Sequence, residues 1–300
     1  VSCNGYTDGT INIEVIGGVD PYDYSWTSDN GFTSSSEDIS GLGEGTYTVI
    51  ITDDNNCSYT QDFLLEDPEE FAISSFEVSE YAGEFEVSCN GYTDGWIDIE
   101  VTGGSGEGTY NYSWTSDTGF TSSSEDISGL EAGTYTVTIT DLNACPEIGF
   151  ITQTFVLEDP DELIISDFEV SEYEGGFEVS CNGYTDGTID ITEAGGVGPY
   201  DYSWTSDNGF TSTEEDISDL GAGTYTVTVT DQNDCFVTQT FVLEDPDELI
   251  ISDFVVSEYE GGFEVSCNEY ADGSINIEVI GGYGTYDYSW TSDNGFTSSS

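Results

Sequence analysis

The sequence predicts an all-β protein built as tandem β-sandwich modules in an extended rod. Three observations carry that expectation. The stretch Val-Ser-Cys-Asn-Gly-Tyr-Thr-Asp-Gly at Val1–Gly9 recurs at Val87 and Val179 and, worn, at Val265, with starts 86, 92 and 86 residues apart. A fixed long period is the signature of an array of like units. Between the copies lie short runs of alternating apolar and polar residues, separated by Gly, Asn, Asp and Pro, as in strands joined by turns. Nowhere does a long amphipathic helical pattern appear. The fourth copy stops within its unit at Ser300 and no Met begins the chain, so the 300 residues read as a window cut from a longer array.

The elements follow in order. In Thr10 to Ile16, Ile11, Ile13 and Val15 share one face, with Asn12 and Glu14 opposite. That is a half-buried strand, ended by Gly17-Gly18. Tyr22, Tyr24 and Trp26 alternate with Asp23 and Ser25 in a second strand. Asp29-Asn30-Gly31 is a hairpin-type turn signal. Thr46 to Thr52 is the clearest strand, with Tyr47, Val49 and Ile51 inward; Tyr135, Val137, Ile139 and Tyr225, Val227, Val229 repeat it. Cys57 opens a strand running to Leu65. Glu66-Asp67-Pro68 closes it and returns as Glu158-Asp159-Pro160 and Glu244-Asp245-Pro246. Strands over Phe71 to Val78 and Glu84 to Cys89 lead into the next copy.

These triplets set the module boundaries: 1–68 partial, 69–160 and 161–246 complete, 247–300 partial. Seven short strands per unit of this size predict an immunoglobulin-like sandwich. Trp26, Trp114, Trp204 and Trp290 lie on its central strand and read as core tryptophans, with sugar-stacking as the competing role. Trp96 replaces Thr10 at a strand start and is the candidate exposed, ligand-binding tryptophan. The second copy has six extra residues, near Ser105 to Gly108 and after Cys145, between strands where insertion is cheap. Glu193 replaces the inward Val15, so either a bulge turns it outward or that strand frays early. Boundaries without a Gly/Ser linker, and like charge on neighbouring units, predict the rod, roughly 120–160 Å long from strand lengths.

Composition narrows the function. There are 62 Asp and Glu and no Lys, Arg or His, a formal charge of −62. Such a chain offers phosphates no cations, which excludes nucleic acid, and anionic membrane surfaces repel it. No segment here predicts direct membrane insertion. With 36% hydrophobic and 14% aromatic residues placed periodically, it reads as folded rather than disordered. The charge keeps it soluble and opposes compactness, which salt or divalent cations relieve.

Seven cysteines follow the repeat. Cys3 and Cys57, Cys89 and Cys145, and Cys181 and Cys235 are 54, 56 and 54 residues apart, leaving Cys267. Two per module, without His or closely spaced pairs, disfavour zinc. They predict one intra-module disulfide each, in an oxidising extracellular compartment, with about 4 kcal/mol of stabilisation from loop closure.

The motif Cys-Asn-Gly-x-x-Asp-Gly-x-Ile is followed by Gly-Gly, Pro-Tyr-x-Tyr-x-Trp, Leu-x-x-Gly-Thr-Tyr-Thr-Val and Thr-Asp-x-Asn-x-Cys. This order resembles the SprB repeat, anchored at Cys3, Gly17, Pro21, Trp26, Gly45, Tyr47, Asp53 and Cys57. Pro21 becomes Thr109 and Thr285 in the second and fourth copies, and the absence of basic residues departs from the pattern. Proteins with this repeat are very large cell-surface adhesins of gliding Bacteroidota. The resemblance implies type IX export, surface filaments in which like chains associate, attachment to surfaces or polysaccharide, and no enzyme.

Only carboxylates are available for acid–base work, and each recurs with the module. An active site copied into every unit of an array is a poor expectation. Oxygen donors do suit calcium. If Cys3 bonds Cys57, then Asn4 and Asp8 approach Asp53 and Asn55. The equivalents are Asn90, Asp94, Asp141 and Asn143, then Asn182, Asp186, Asp231 and Asn233. The cluster Glu66, Asp67, Glu69 and Glu70 is a second calcium candidate. Against both stands the plain reading that Asn and Asp beside Gly form turns and acidic runs are solvated. Asn111-Tyr112-Ser113 and Asn56-Cys57-Ser58 match a glycan acceptor pattern. The expected function is a structural and adhesive segment of a surface filament, whose modules contact their neighbours; the alternative is a carbohydrate-binding array.

Overall fold

The computed structural model describes residues 1–104, 110–141 and 149–299. The insertions of the second copy, and with them Asn143 and Cys145, lie outside the described residues. Two compact units are present, Val1–Asp159 and Pro160–Ser300.

The first module holds β1 (Gly9–Ile11), β2 (Asp23–Ser28), β3 (Thr33–Ser34), β4 (Ile39–Leu42), β5 (Gly45–Thr52) and β6 (Ser58–Leu65). The second holds β7 (Ala72–Val78), β8 (Gly95–Thr102), β9 (Tyr110–Ser116), β10 (Thr121–Ser122), β11 (Ile127–Leu130), β12 (Gly133–Asp141) and β13 (Phe150–Leu157). The third repeats this as β14 (Ile164–Val170), β15 (Gly187–Ala194), β16 (Asp201–Ser206), β17 (Thr211–Ser212), β18 (Ile217–Leu220), β19 (Gly223–Thr230) and β20 (Phe236–Leu243). The fourth contributes β21 (Ile250–Val256), β22 (Ile275–Ile280), β23 (Trp290–Thr291) and β24 (Thr297–Ser298). No helix occurs among the described residues.

In the second module the sheets are ordered β7-β8-β11 and β10-β9-β12-β13, and the third has the same arrangement. Every ladder is antiparallel. Alternation places Ile97, Ile99, Ile127 and Leu130 of one sheet against Trp114, Tyr135, Val137, Ile139, Phe155 and Leu157 of the other. The result is an immunoglobulin-like sandwich with its core between the sheets. Burial of an aliphatic side chain such as Val137 or Ile139 contributes about 2 kcal/mol. Thr134, Thr136, Thr138 and Thr140 face outward on the same strand.

The central tryptophans Trp26, Trp114 and Trp204 are core residues, each about 1% exposed. Burial would strand the indole N–H, so each donates to a loop carbonyl, of Ser36, Ser124 and Glu214 respectively. Tyr47, Tyr135 and Tyr225 are equally buried, and each hydroxyl donates to a carbonyl four residues upstream, of Gly43, Glu131 and Gly221. This is the tyrosine corner of such sandwiches.

Three local expectations fail. The first strand stops at Ile11 rather than Ile16, because β1 pairs only with β4. In the later modules β8 and β15 are held on both edges and run full length. Glu84 to Cys89 is not a strand; instead the N–H groups of Glu86 and Val87 both donate to the Glu158 carbonyl. Glu193 neither frays β15 nor creates its own bulge. It stays in register opposite Ile165, and the irregularity lies on the facing strand between Ile165 and Asp167. The second and fourth modules have the same irregularity, between Ile73 and Ser75 and between Ile251 and Asp253.

Candidate functional site

The recurring motif is the loop between the first two strands of a module. Its Cys-Asn-Gly-Tyr segment is a β-turn closed by Tyr N–H to Cys carbonyl bonds of 3.0–3.1 Å at Tyr6, Tyr92, Tyr184 and Tyr270. The third turn position carries positive φ, from 70° to 73° at Gly5, Gly91 and Gly183, where glycine is unstrained. Glu269 holds the same position at φ 66° in the fourth copy.

The loop is clamped to the end of its own module. The Gly5, Gly91 and Gly183 N–H groups donate to Asp67, Asp159 and Asp245 at 2.6, 2.7 and 2.8 Å. Asn4 and Asn182 donate to the carbonyls of Pro68 and Pro246 at 2.9 and 3.1 Å. In the third module Glu178 and Val179 donate to the Glu244 carbonyl, and Glu244 N–H returns a bond to the Glu178 carboxylate. The Glu-Asp-Pro triplet is therefore a latch, with its charge used as a hydrogen-bond acceptor.

Asp8, Asp94 and Asp186 tie down the same loop. Each accepts the backbone N–H and the hydroxyl of a serine six residues earlier: Ser2, Ser88 and Ser180. The serine hydroxyl and then its N–H hold Asp8 and Asp186 below the usual carboxylate range. Asp53 and Asp231 do a matching task in a different turn. Asp53 accepts from the N–H groups of Asn55, Cys57 and Val19, and Asp231 from those of Asn233, Cys235 and Val197.

These two groups of acidic residues sit at opposite ends of a module. Cys57 immediately precedes β6, while the loop of Cys3 is bonded to Asp67 and Pro68, just past its far end. Likewise Cys235 precedes β20, and the loop of Cys181 is bonded to Glu244 and Asp245 beyond it. Eight residues of strand separate the ends by about 26 Å, whereas a disulfide needs Cα atoms within about 7 Å. Cys57, Cys181 and Cys267 are accordingly free thiols, while Cys3, Cys89 and Cys235 are disulfide-bonded. The expected pairs Cys3–Cys57 and Cys181–Cys235 are not formed. The pair Cys89–Cys145 involves a residue outside those described.

The calcium set built on that pairing is not gathered either. Asn4 and Asp8 do not meet Asp53 and Asn55, and Asn182 and Asp186 do not meet Asp231 and Asn233, for the same reason. Asn143 is outside the described residues; Asn90 and Asp94 occupy the same loop as Asn4 and Asp8. No group of three or more His, Cys, Asp or Glu placed to hold a metal occurs among the described residues. At the boundary cluster, Asp67 is engaged by Gly5, and its second carboxylate oxygen is buried without a partner.

Within the first unit the loop also meets the next module. Cys3 and Asn4 line a cleft with Glu69, Glu70, Phe71 and Asp141. Gly103-Gly104 shapes that surface. Both have positive φ, Gly104 N–H donates to the Glu69 carbonyl, and a Cβ on Gly103 would lie 2.0 Å from the Glu70 carbonyl oxygen. In the second unit Cys181 and Asn182 lie beside Asp247, Glu248, Leu249 and Gly282. There Phe177 meets Tyr283 edge-on at 6.0 Å.

Charge elsewhere is perturbed mostly by burial beside like charge. Burial, then Glu193 and Asp216, push the Glu215 carboxyl up. Burial and hydrogen bonds to Glu125 and Glu193 push the Tyr112 and Tyr202 hydroxyls well up. Trp96 is 37% exposed on β8, its N–H bonded to Ser79 Oγ.

The sequence reading missed the latch and the tyrosine corner. Both had signals, in the Glu-Asp-Pro spacing and in Leu-x-x-Gly-x-Tyr. What repeats here is a joint between immunoglobulin-like modules, which defines a tandem-module structural segment.

The family model of the SprB repeat matches residues 1–31, 86–119, 178–209 and 264–295. The chain carries four SprB repeats, each matched segment running from the latch loop through the Gly-Gly turn to the hairpin after the core tryptophan. No curated protein matches the sequence. Among solved structures, the chain is similar to a tetra-tandem repeat from the extending region of a large adhesion protein. Identity is 14%, coverage 94% of this chain and 91% of that one, and the TM-score 0.27. It is similar to extracellular domains 3–5 of Drosophila OTK at 12% identity, 78% and 91% coverage and TM-score 0.23. The amphioxus IgVJ-C2 molecule matches at 14% identity, 51% and 97% coverage and TM-score 0.24.

Proposed function

We propose that this chain is a tension-carrying stretch of a very large cell-surface adhesin. The observation that supports it most is the SprB repeat itself, four times over, folded as modules whose inter-strand loop latches onto the module end and faces the module that follows. Export by the type IX route, surface filaments, adhesion to solid surfaces or polysaccharide, and a part in gliding all belong to this reading. No helix among the described residues is long and apolar enough to cross a membrane. Antibodies raised against the 300-residue chain should label intact, unpermeabilised cells of the source and reduce their attachment to glass. Label confined to permeabilised cells would overturn the reading.

A second reading, a carbohydrate-binding array, rests on the exposure of Trp96. A polysaccharide pull-down with the chain and its Trp96→Ala variant separates the two. Retention by wild type, lost in the variant, supports sugar binding. Equal or absent retention supports a stalk.

A further inference from the structure

We infer that Cys3 is bonded forward, across the module boundary, to Cys145 of the second module. Cys3 is disulfide-bonded and 5% exposed, and Cys57 in its own module is free. The far side of Cys3 is the cleft with Asp141, the last residue of β12. In the first and third modules the equivalent aspartates, Asp53 and Asp231, accept the N–H of the cysteine four residues on, at 2.8 and 2.9 Å. A cysteine in that turn is thus held against its aspartate. Four residues beyond Asp141 stands Cys145. The aspartate that Cys3 faces therefore marks the place of its partner.

The second unit supplies the contrast. Cys181 occupies the same place beside the fourth module, next to Glu248, Leu249 and Gly282. Its neighbouring module has no cysteine after Cys267 in these 300 residues, and Cys181 is a free thiol. The motif cysteine thus serves the next module in the array, not its own. Such a bridge makes the joint covalent at a second point beside the main chain. A pull that unlatches the Glu66-Asp67-Pro68 segment would still be carried through sulfur.

Formation joins two thiols into one S–S bond and releases two protons and two electrons. The oxidant is a disulfide-form thiol oxidoreductase of the export compartment, whose own disulfide is reduced to two thiols.

The test is peptide mapping of the chain, denatured in an alkylating agent without reductant. Lacking Lys and Arg, it is cut with a protease specific for acidic residues. The expected result is a linked peptide pair containing Cys3 and Cys145, with Cys57, Cys181 and Cys267 alkylated. Cys3 linked to Cys57, or alkylated itself, overturns the inference. Cleavage among Glu66 to Glu70 should leave two pieces that separate on a denaturing gel only after reduction; separation without reductant also overturns it. The Cys3→Ser variant should add one alkylated site, Cys145, with Cys57 labelled as before. New labelling at Cys57 instead would show the bridge to be internal.

Discussion

Replacing Tyr225 by Phe isolates the tyrosine corner. The ring is 1% exposed and meets Phe210 edge-on at 5.7 Å, a contact that phenylalanine keeps. Only the hydroxyl is lost. It donates to the Gly221 carbonyl at 2.9 Å and accepts from Asn208 Nδ2 at 3.0 Å. Asn208 is exposed and retains its bond to the Ala222 carbonyl at 3.3 Å, so its loss is small. The Gly221 carbonyl is left half-buried without this donor. A bond of this kind contributes about 0.5–1.5 kcal/mol, and a stranded carbonyl raises the cost, so the variant should lose about 1.5 kcal/mol. Hydrogen exchange read by mass spectrometry suits a multi-module chain, because it resolves stability segment by segment. Core amides of β19 and β20 should exchange about tenfold faster, while β12 and β13 stay unchanged, since distant sites act independently. Acceleration below about twofold, or spread equally over both modules, would refute the reasoning.

The other expectations follow from single contacts. A Cβ at Gly195 would sit 2.0 Å from the Glu162 carbonyl oxygen, at φ 75°. Gly195→Ala should therefore cost about 2–3 kcal/mol against about 1 kcal/mol for Gly209→Ala, where nothing lies within 4 Å. Equal midpoints in urea would show that the close approach is not enforced. Glu215 has a raised folded-state pKa, so the stability its protonated form brings is complete below the unfolded-state value and is lost as pH rises through the folded one. Glu215→Gln should then raise the melting temperature at pH 7 and converge with wild type below about pH 4; a gain that persists unchanged at low pH would exclude the linkage. Finally, a formal charge of −62 should make melting temperature climb with sodium chloride. Calcium chloride at equal ionic strength should match that climb, and a further rise would reveal a specific ion site.

Much of this protein was written in local pattern. Strict two-residue alternation in Thr46 to Thr52 and its copies fixes which side chains face the core, because a strand's side chains must point to opposite faces. Gly-Gly, Asp-Asn-Gly and Glu-Asp-Pro mark turns through backbone freedom and proline restriction. Hence the all-β class, seven strands per complete module, the buried tryptophans and the SprB resemblance could all be read before any coordinates. Edge pairing could not, since it depends on a neighbour distant in sequence; β1 stops early for want of one. The cysteines show the division most clearly. A spacing of 54 residues looks like a loop to be closed, but five strands, β1 to β5, lie between Cys3 and Cys57. Each antiparallel strand reverses the chain, and an odd number of reversals leaves the two cysteines at opposite ends of the sandwich. Sequence set the residues that could bond, and only the stacking of strands decided which ends of which modules they reach.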